Sequence, residues 1–214
     1  MSNRHGYVGT VGHTQAIKSN SGVFSPNEVI DLDSDNVWFN AGQLELIETQ
    51  SVTSSTASVI FSDIKETEYD VHFVTWNNFQ STVTNKRFVM RFYESGTEES
   101  ASVYRSSYQG CRTDSFGPNQ DDSDSQIFLG TNTTTTSNQS DSGYVYIYNA
   151  GDSSKYTFAN SHSTGMYQYG PNYATYFGGA ILPQASVVDQ FKFFSTATSN
   201  IEHVDISLYG IRSY

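Results

Sequence analysis

Along most of this chain apolar and polar residues alternate with a period of two, the spacing that sets one face of a β-strand against a core and the other against solvent. The pattern is clearest over Val204–Tyr214 (VDISLYGIRSY), where Ile206 and Leu208 point one way, Ser207 and Tyr209 the other, and Gly210 relieves crowding just before Ile211. Such a segment is expected to pair inside a sheet, because a frayed apolar strand leaves unpaired backbone and sticky surface. Comparable runs recur from Gly42 onward: Leu44–Thr49, Ser51–Phe61, Tyr69–Trp76, Lys86–Ser95 and Ala101–Gln109. They continue at Gln126–Thr131, Gly143–Ala150, Lys155–Asn160, Ala174–Leu182 and Val187–Ser195. Residues 110–125, with FGPN and an acidic DDSDSQ run, read as a loop, and Thr131–Gly143 (TNTTTTSNQSDSG) reads as a polar linker. Regular short strands without a convincing amphipathic helix or tandem repeat predict an all-β fold, an antiparallel jelly-roll-like β-sandwich over residues 41–214.

Residues 1–40 follow a different pattern. Three glycines precede residue 13, an SNSG turn follows at Ser19–Gly22, and Val23, Phe24 and Pro26 make an extended apolar hook. Ile30 and Leu32 alternate with Asp31 and Asp33, and Trp38 and Phe39 close the segment. Apolar residues this sparse cannot form a core of their own, so an N-terminal docking arm is expected, with Val23, Phe24, Pro26, Ile30, Leu32 and Trp38 as its contacts. The alternative is a floppy terminus.

Composition narrows the chemistry. Tyr (15) and Phe (14) are abundant, which suits pleated, half-buried surfaces. Cys111 is the only cysteine, so no disulfide within the chain and no cysteine metal cluster is possible. The net charge of −11, from 22 acidic and 11 basic residues, repels phosphate backbones and anionic lipid, so neither nucleic acid nor membrane is an expected partner. Met1–Thr14 is polar and carries no signal-peptide pattern, so the sequons at Asn132 and Asn138 read as chance matches in a Thr/Ser-rich stretch.

Candidate chemistry is thin. The five histidines (His5, His13, His72, His162 and His203) are scattered without metal-pair spacing, and no nucleophile elbow, phosphate loop or zinc-protease motif occurs. Carboxylates are plentiful, so a pair meeting in a cleft stays open as a glycosidase reading, against that of solvated acidic loops. Asp121, Asp122 and Asp124 offer hard oxygen ligands for calcium but lack the glycine and distal glutamate of an EF-hand loop. Tyr167, Tyr169, Tyr173 and Tyr176, in MYQYGPNYATYFGG, form a candidate surface. Aromatic, glycine-rich loops of this kind fill a protein interface, cover the end of a sandwich, or stack on sugars. No catalytic residue, cofactor or metal site is expected.

Four segments, in order, resemble a recurrent β-sandwich module of tailed-bacteriophage virion proteins: IFSDIKETEYDVHFVTWNNFQ, RFVMRFYESGTEESASVYRSSY, GYVYIYNAGDSSKYTF and FKFFSTATSNIEHVDISLYGIRSY with its LYGI ending. The resemblance spans roughly residues 44–214, and departs from the module at Glu202 and His203, where a Ser-Gly turn is usual. It implies a non-enzymatic virion structural protein, a tail-fibre, appendage or capsid or neck decoration subunit, often a homotrimer, assembled in the host cytoplasm among other virion proteins. A host-receptor (glycan) binding adhesin module and a glycan-cleaving enzyme are the alternatives.

Overall fold

The computed structural model describes residues 26–27, 44–167, 172–197 and 199–212. The chain divides into two units, Met1–Gln43 and Leu44–Tyr214. Of the first, only Pro26 and Asn27 are described, in helical backbone and exposed; Val23, Phe24, Ile30, Leu32 and Trp38 lie outside the described residues.

The second unit is all-β, two antiparallel sheets packed face to face, with no helix among its described residues. The strands are β1 (Leu44–Val52), β2 (Ser58–Phe61), β3 (Val71–Ser81), β4 (Phe88–Glu94), β5 (Thr97–Glu98), β6 (Tyr104–Arg112) and β7 (Ser115–Asp124). They continue as β8 (Ile127–Phe128), β9 (Asp141–Tyr148), β10 (Tyr156–Tyr167), β11 (Asn172–Ala185), β12 (Val188–Ser195) and β13 (Ile201–Ile211). The large sheet runs β1-β13-β3-β9-β10-β11-β6-β7; the small one runs β2-β12-β4-β5, with β8 also on β4. The two-residue turn between β4 and β5 puts Ser95 and Gly96 at φ 52° and 75°, the left-handed pair that matches strand twist in a tight hairpin.

The period-two pattern decides what meets in the middle. Val74, Trp76 and Phe79 of β3, Val145 and Ile147 of β9, and Val204, Ile206 and Leu208 of β13 face Phe61, Phe88, Met90, Phe92, Phe191 and Phe193 of the small sheet, all buried. Phe88 is the hub, with ring centroids 4.6 Å from Phe79, 5.5 Å from Trp76 and 5.7 Å from Phe193. β13 lies between β1 and β3, so the closing strand is interior to the large sheet, as its pattern predicts. Ile206 and Leu208 are buried together with Ile201 and Val204, while Ile211 is half-buried. Gly210 has a specific reason, because a Cβ there would lie 2.4 Å from the Tyr69 ring.

Two stretches depart from the sequence reading. Within residues 110–125, Ser115–Asp124 is a strand and not a loop, pairing antiparallel with β6 in the register Cys111↔Phe116 and Gln109↔Pro118. An edge strand leaves one side of its backbone to solvent, where proline, glycine and charge are tolerated and discourage further pairing. The Thr131–Gly143 linker is anchored in the body: Thr131, Thr133, Thr134 and Asp141 are buried, and Thr133 bridges to Lys86. Asp141 accepts hydrogen bonds from the Trp76 indole (2.8 Å) and the Thr131 amide (2.9 Å). Gly130 makes room for this carboxylate, since a Cβ there would fall 2.6 Å from its Oδ1. Burial pushes the Asp141 carboxyl up to about 7, against the hydrogen bonds from Thr131 and Trp76 that favour its charged form.

Candidate functional site

The face of the large sheet turned away from the core is built mainly from aromatic rings. On β9 the inward residues are Val145 and Ile147, which leaves Tyr144, Tyr146 and Tyr148 outward. On β3 the inward His72, Val74 and Trp76 leave Phe73 outward, and on β13 Tyr209 falls on the same side. Phe158 and His162 of β10 and Phe177 and Ile181 of β11 complete the set by register. The rings touch in a chain across five strands: Tyr209–Phe73 6.1 Å, Phe73–Tyr146 4.6 Å, Tyr146–Tyr144 5.8 Å, Tyr144–His162 5.7 Å and His162–Phe177 6.5 Å between centroids. Tyr144, Phe158 and Phe177 remain 38%, 45% and 49% exposed.

Register turns this face into a trough. One row across the strands reads Tyr146, Asn160, Gly179, Ser107, so side-chain size falls abruptly after β9. The row on one side reads Tyr144, His162, Phe177; the row on the other reads Tyr148, Phe158, Ile181. Two tall walls thus flank a floor of small residues, closed at one end by Tyr146 and open toward β6. Three strand spacings give it a length of roughly 14 Å. Two depressions mark it, one of about 340 Å³ around Tyr146, Asn160, His162 and Phe177, the other of about 370 Å³ around Phe158, Gly179, Ile181 and Ser107. In these rows from β9 to β6 the one ionised side chain is Arg105, paired with Ile181 at the open end. The Tyr144, Tyr146 and Tyr148 hydroxyls and the Asn160 amide make no hydrogen bond to the described residues, while His162 Nε2 is 2.9 Å from Thr175 Oγ1.

The tyrosines singled out from the sequence do not form one surface. Tyr173 is exposed on the aromatic face. Tyr167 lies on the opposite side, with the Arg112 guanidinium 4.3 Å above its ring. Tyr176 is half-buried on the opposite side, over Gly110, in a cage where Arg87 faces Tyr176, Tyr108 and Phe128 at 5.5, 5.9 and 5.1 Å respectively. Arg87 fixes that cage further through a hydrogen bond to the Tyr108 hydroxyl (2.9 Å) and one to Asn132. Tyr169 is outside the described residues. Sequence reasoning missed Phe73, Tyr144, Tyr146, Tyr148, Phe158, His162, Phe177 and Tyr209, although GYVYIYN shows the signal, aromatics in the phase that should be polar.

The other candidates are occupied locally. His72 is buried, its Nε2 2.7 Å from the Ile64 carbonyl, and burial lowers its pKa. Asp121 and Asp124 accept the backbone N–H groups of Ser123 and Ser125 at 3.0 and 2.6 Å. Among the described residues no three His, Cys, Asp or Glu side chains are placed to share a metal ion. Glu94 is raised by burial and then by the Glu99 charge, but it takes the Ser186 hydroxyl, while Glu99 takes the Ala101 amide (2.8 Å) and the Gln184 side chain (3.1 Å). Glu98 is held between Arg91 and Lys192, each at 2.7 Å.

Fold and site together define a two-sheet antiparallel β-sandwich with an aromatic outer face. Comparison with protein-family models, curated proteins and solved structures found no match to the chain.

Proposed function

We propose that this chain is a non-enzymatic bacteriophage virion protein, a surface decoration or fibre/appendage subunit, whose working surface is the aromatic face of the large sheet. The observation that carries this reading is the continuous ring chain from Tyr209 to Phe177, which offers a rigid contact surface on the outer face of the sheet. Contiguous exposed apolar surface of this kind marks an interaction site. The virion setting is supported by the resemblance of the four segments to the phage module, from Ile60 to the LYGI ending.

In this reading residues 1–40 dock the subunit on the particle, and copies associate as a closed homotrimer. Electron cryomicroscopy of intact particles tests it, together with a form lacking residues 1–40. The full chain is expected on the particle at fixed copy number, and the deleted form is expected to fold but not to be incorporated. Assembly of the deleted form at normal copy number refutes the docking role, and a particle without the full chain refutes the virion reading.

A further inference from the structure

Resting on the reading of the aromatic face as the working surface, we infer that its trough binds a neutral glycan chain. The walls, Tyr144 and Phe177 on one side and Phe158 on the other, supply exposed ring surface; the floor supplies the free amide of Asn160 and the Ser107 hydroxyl. A ligand filling such a site needs apolar C–H faces and hydroxyls on the same body. A sugar ring has both.

Charge selects a neutral one. In a chain with 33 Asp, Glu, Lys and Arg residues (22 acidic, 11 basic), none lines the depression around Asn160, and the trough's single cation, Arg105, stands at the open end. A polyanion would meet no row of cations here, and a net charge of −11 would repel it. The direction of the trough argues against a peptide. An extended peptide is captured on free strand edges, where main-chain groups are unpaired. This trough crosses β9, β10, β11 and β6 in the middle of the sheet, where the backbone is already paired on both sides of β10 and β11. Only side chains are left to recognise a ligand, which is how rings and amides hold a sugar.

The test is calorimetric titration and affinity electrophoresis of the full chain with soluble neutral glycans (β-glucan, α-glucan, mannan, xylan and galactan) and with alginate as the charged comparison. Saturable binding to at least one neutral glycan and none to alginate is expected. Phe177→Ala and Tyr144→Ala should each weaken it about tenfold or more, a loss of about 1.4 kcal/mol per decade. Ser107→Tyr, at an exposed position, should block the floor without touching the core, and Leu46→Ala, at the far edge of the same face, should leave binding unchanged.

No binding to any neutral glycan, binding that survives Ser107→Tyr and Phe177→Ala, or binding to alginate alone overturns the inference. So does a dimer that Tyr144→Ala dissociates, because a second copy would then occupy the trough. Glycan binding by a chain absent from particles would refute the virion reading and leave this one standing.

Discussion

Asp141 makes the sharpest prediction about stability. Its carboxyl is fully buried and titrates near 7 in the fold, against roughly 3.9 in an unfolded chain. A folded-state value raised in this way means that the native protein holds a proton that the unfolded chain releases. The stability this gives is fully present below about pH 4 and is lost as pH rises through 7. The difference between the folded and unfolded values corresponds to roughly 4 kcal/mol in all, of which about 2.5 kcal/mol falls between pH 5 and pH 8. Asp141→Asn removes the titration. Its amide –NH₂ must then face one of two donors, the Trp76 indole or the Thr131 N–H, at a pH-independent cost of about 1–3 kcal/mol. Urea unfolding followed by circular dichroism at half-unit steps from pH 5 to 8 reads both quantities. The variant should be clearly less stable than the parent at pH 5 and close to it at pH 8. His72, kept neutral by burial, acts in the opposite sense: its stability is present above about pH 6.5 and is lost as pH falls. That contribution is common to both proteins and cancels in the difference. Parallel curves for parent and variant across the whole range would refute the reasoning.

Two further outcomes are expected. Gly210→Ala drives a methyl into the Tyr69 ring, 2.4 Å from the Cβ position, and should cost about 1–3 kcal/mol; a thermal melt should show this, with partial recovery when Tyr69→Ala is added. Removing Val204–Tyr214 deletes the buried Val204, Ile206 and Leu208 and strips the partner from both β1 and β3, at several kcal/mol per large side chain. The shortened chain should show no cooperative melt, and an unchanged melting temperature would contradict the assignment of β13.

Strand phase was the part of the fold most legible in the sequence. Val204, Ile206 and Leu208 alternate with Asp205, Ser207 and Tyr209, so their burial follows from period alone. β7 was illegible because an edge strand is held by backbone bonds on one side, and its side chains, Gly117, Pro118 and three aspartates, carry turn chemistry. Asp141 was illegible for another reason. Nothing local distinguishes an aspartate in a Thr/Ser stretch from a solvated one, and its burial depends on Trp76, 65 residues away. The trough was half legible. Tyrosines in one phase of β9 and aliphatics in the other signal two apolar faces, but which phase is inward, and that Gly179 falls beside Asn160, depends on how β10 pairs with β9 and β11.

The interior placement of β13 also sets an order of events. Among the thirteen strands of the described residues it is the last to leave the ribosome, yet it lies between β1 and β3. Thr49 waits 158 residues for its partner Ser207. Until then β1 has no neighbour, and Val52 and the core side of β3 lack the strand that pairs beside them. The meander β9-β10-β11 and the β6-β7 hairpin close through local turns and do not share this delay. Long-range closure of this kind is slow, because the entropy of a large loop is lost before any contact compensates for it. Within the aromatic trough the same division holds: its β9, β10 and β11 parts rest on local pairing, whereas the Ser107 end depends on β6 meeting β11 across a long stretch of chain.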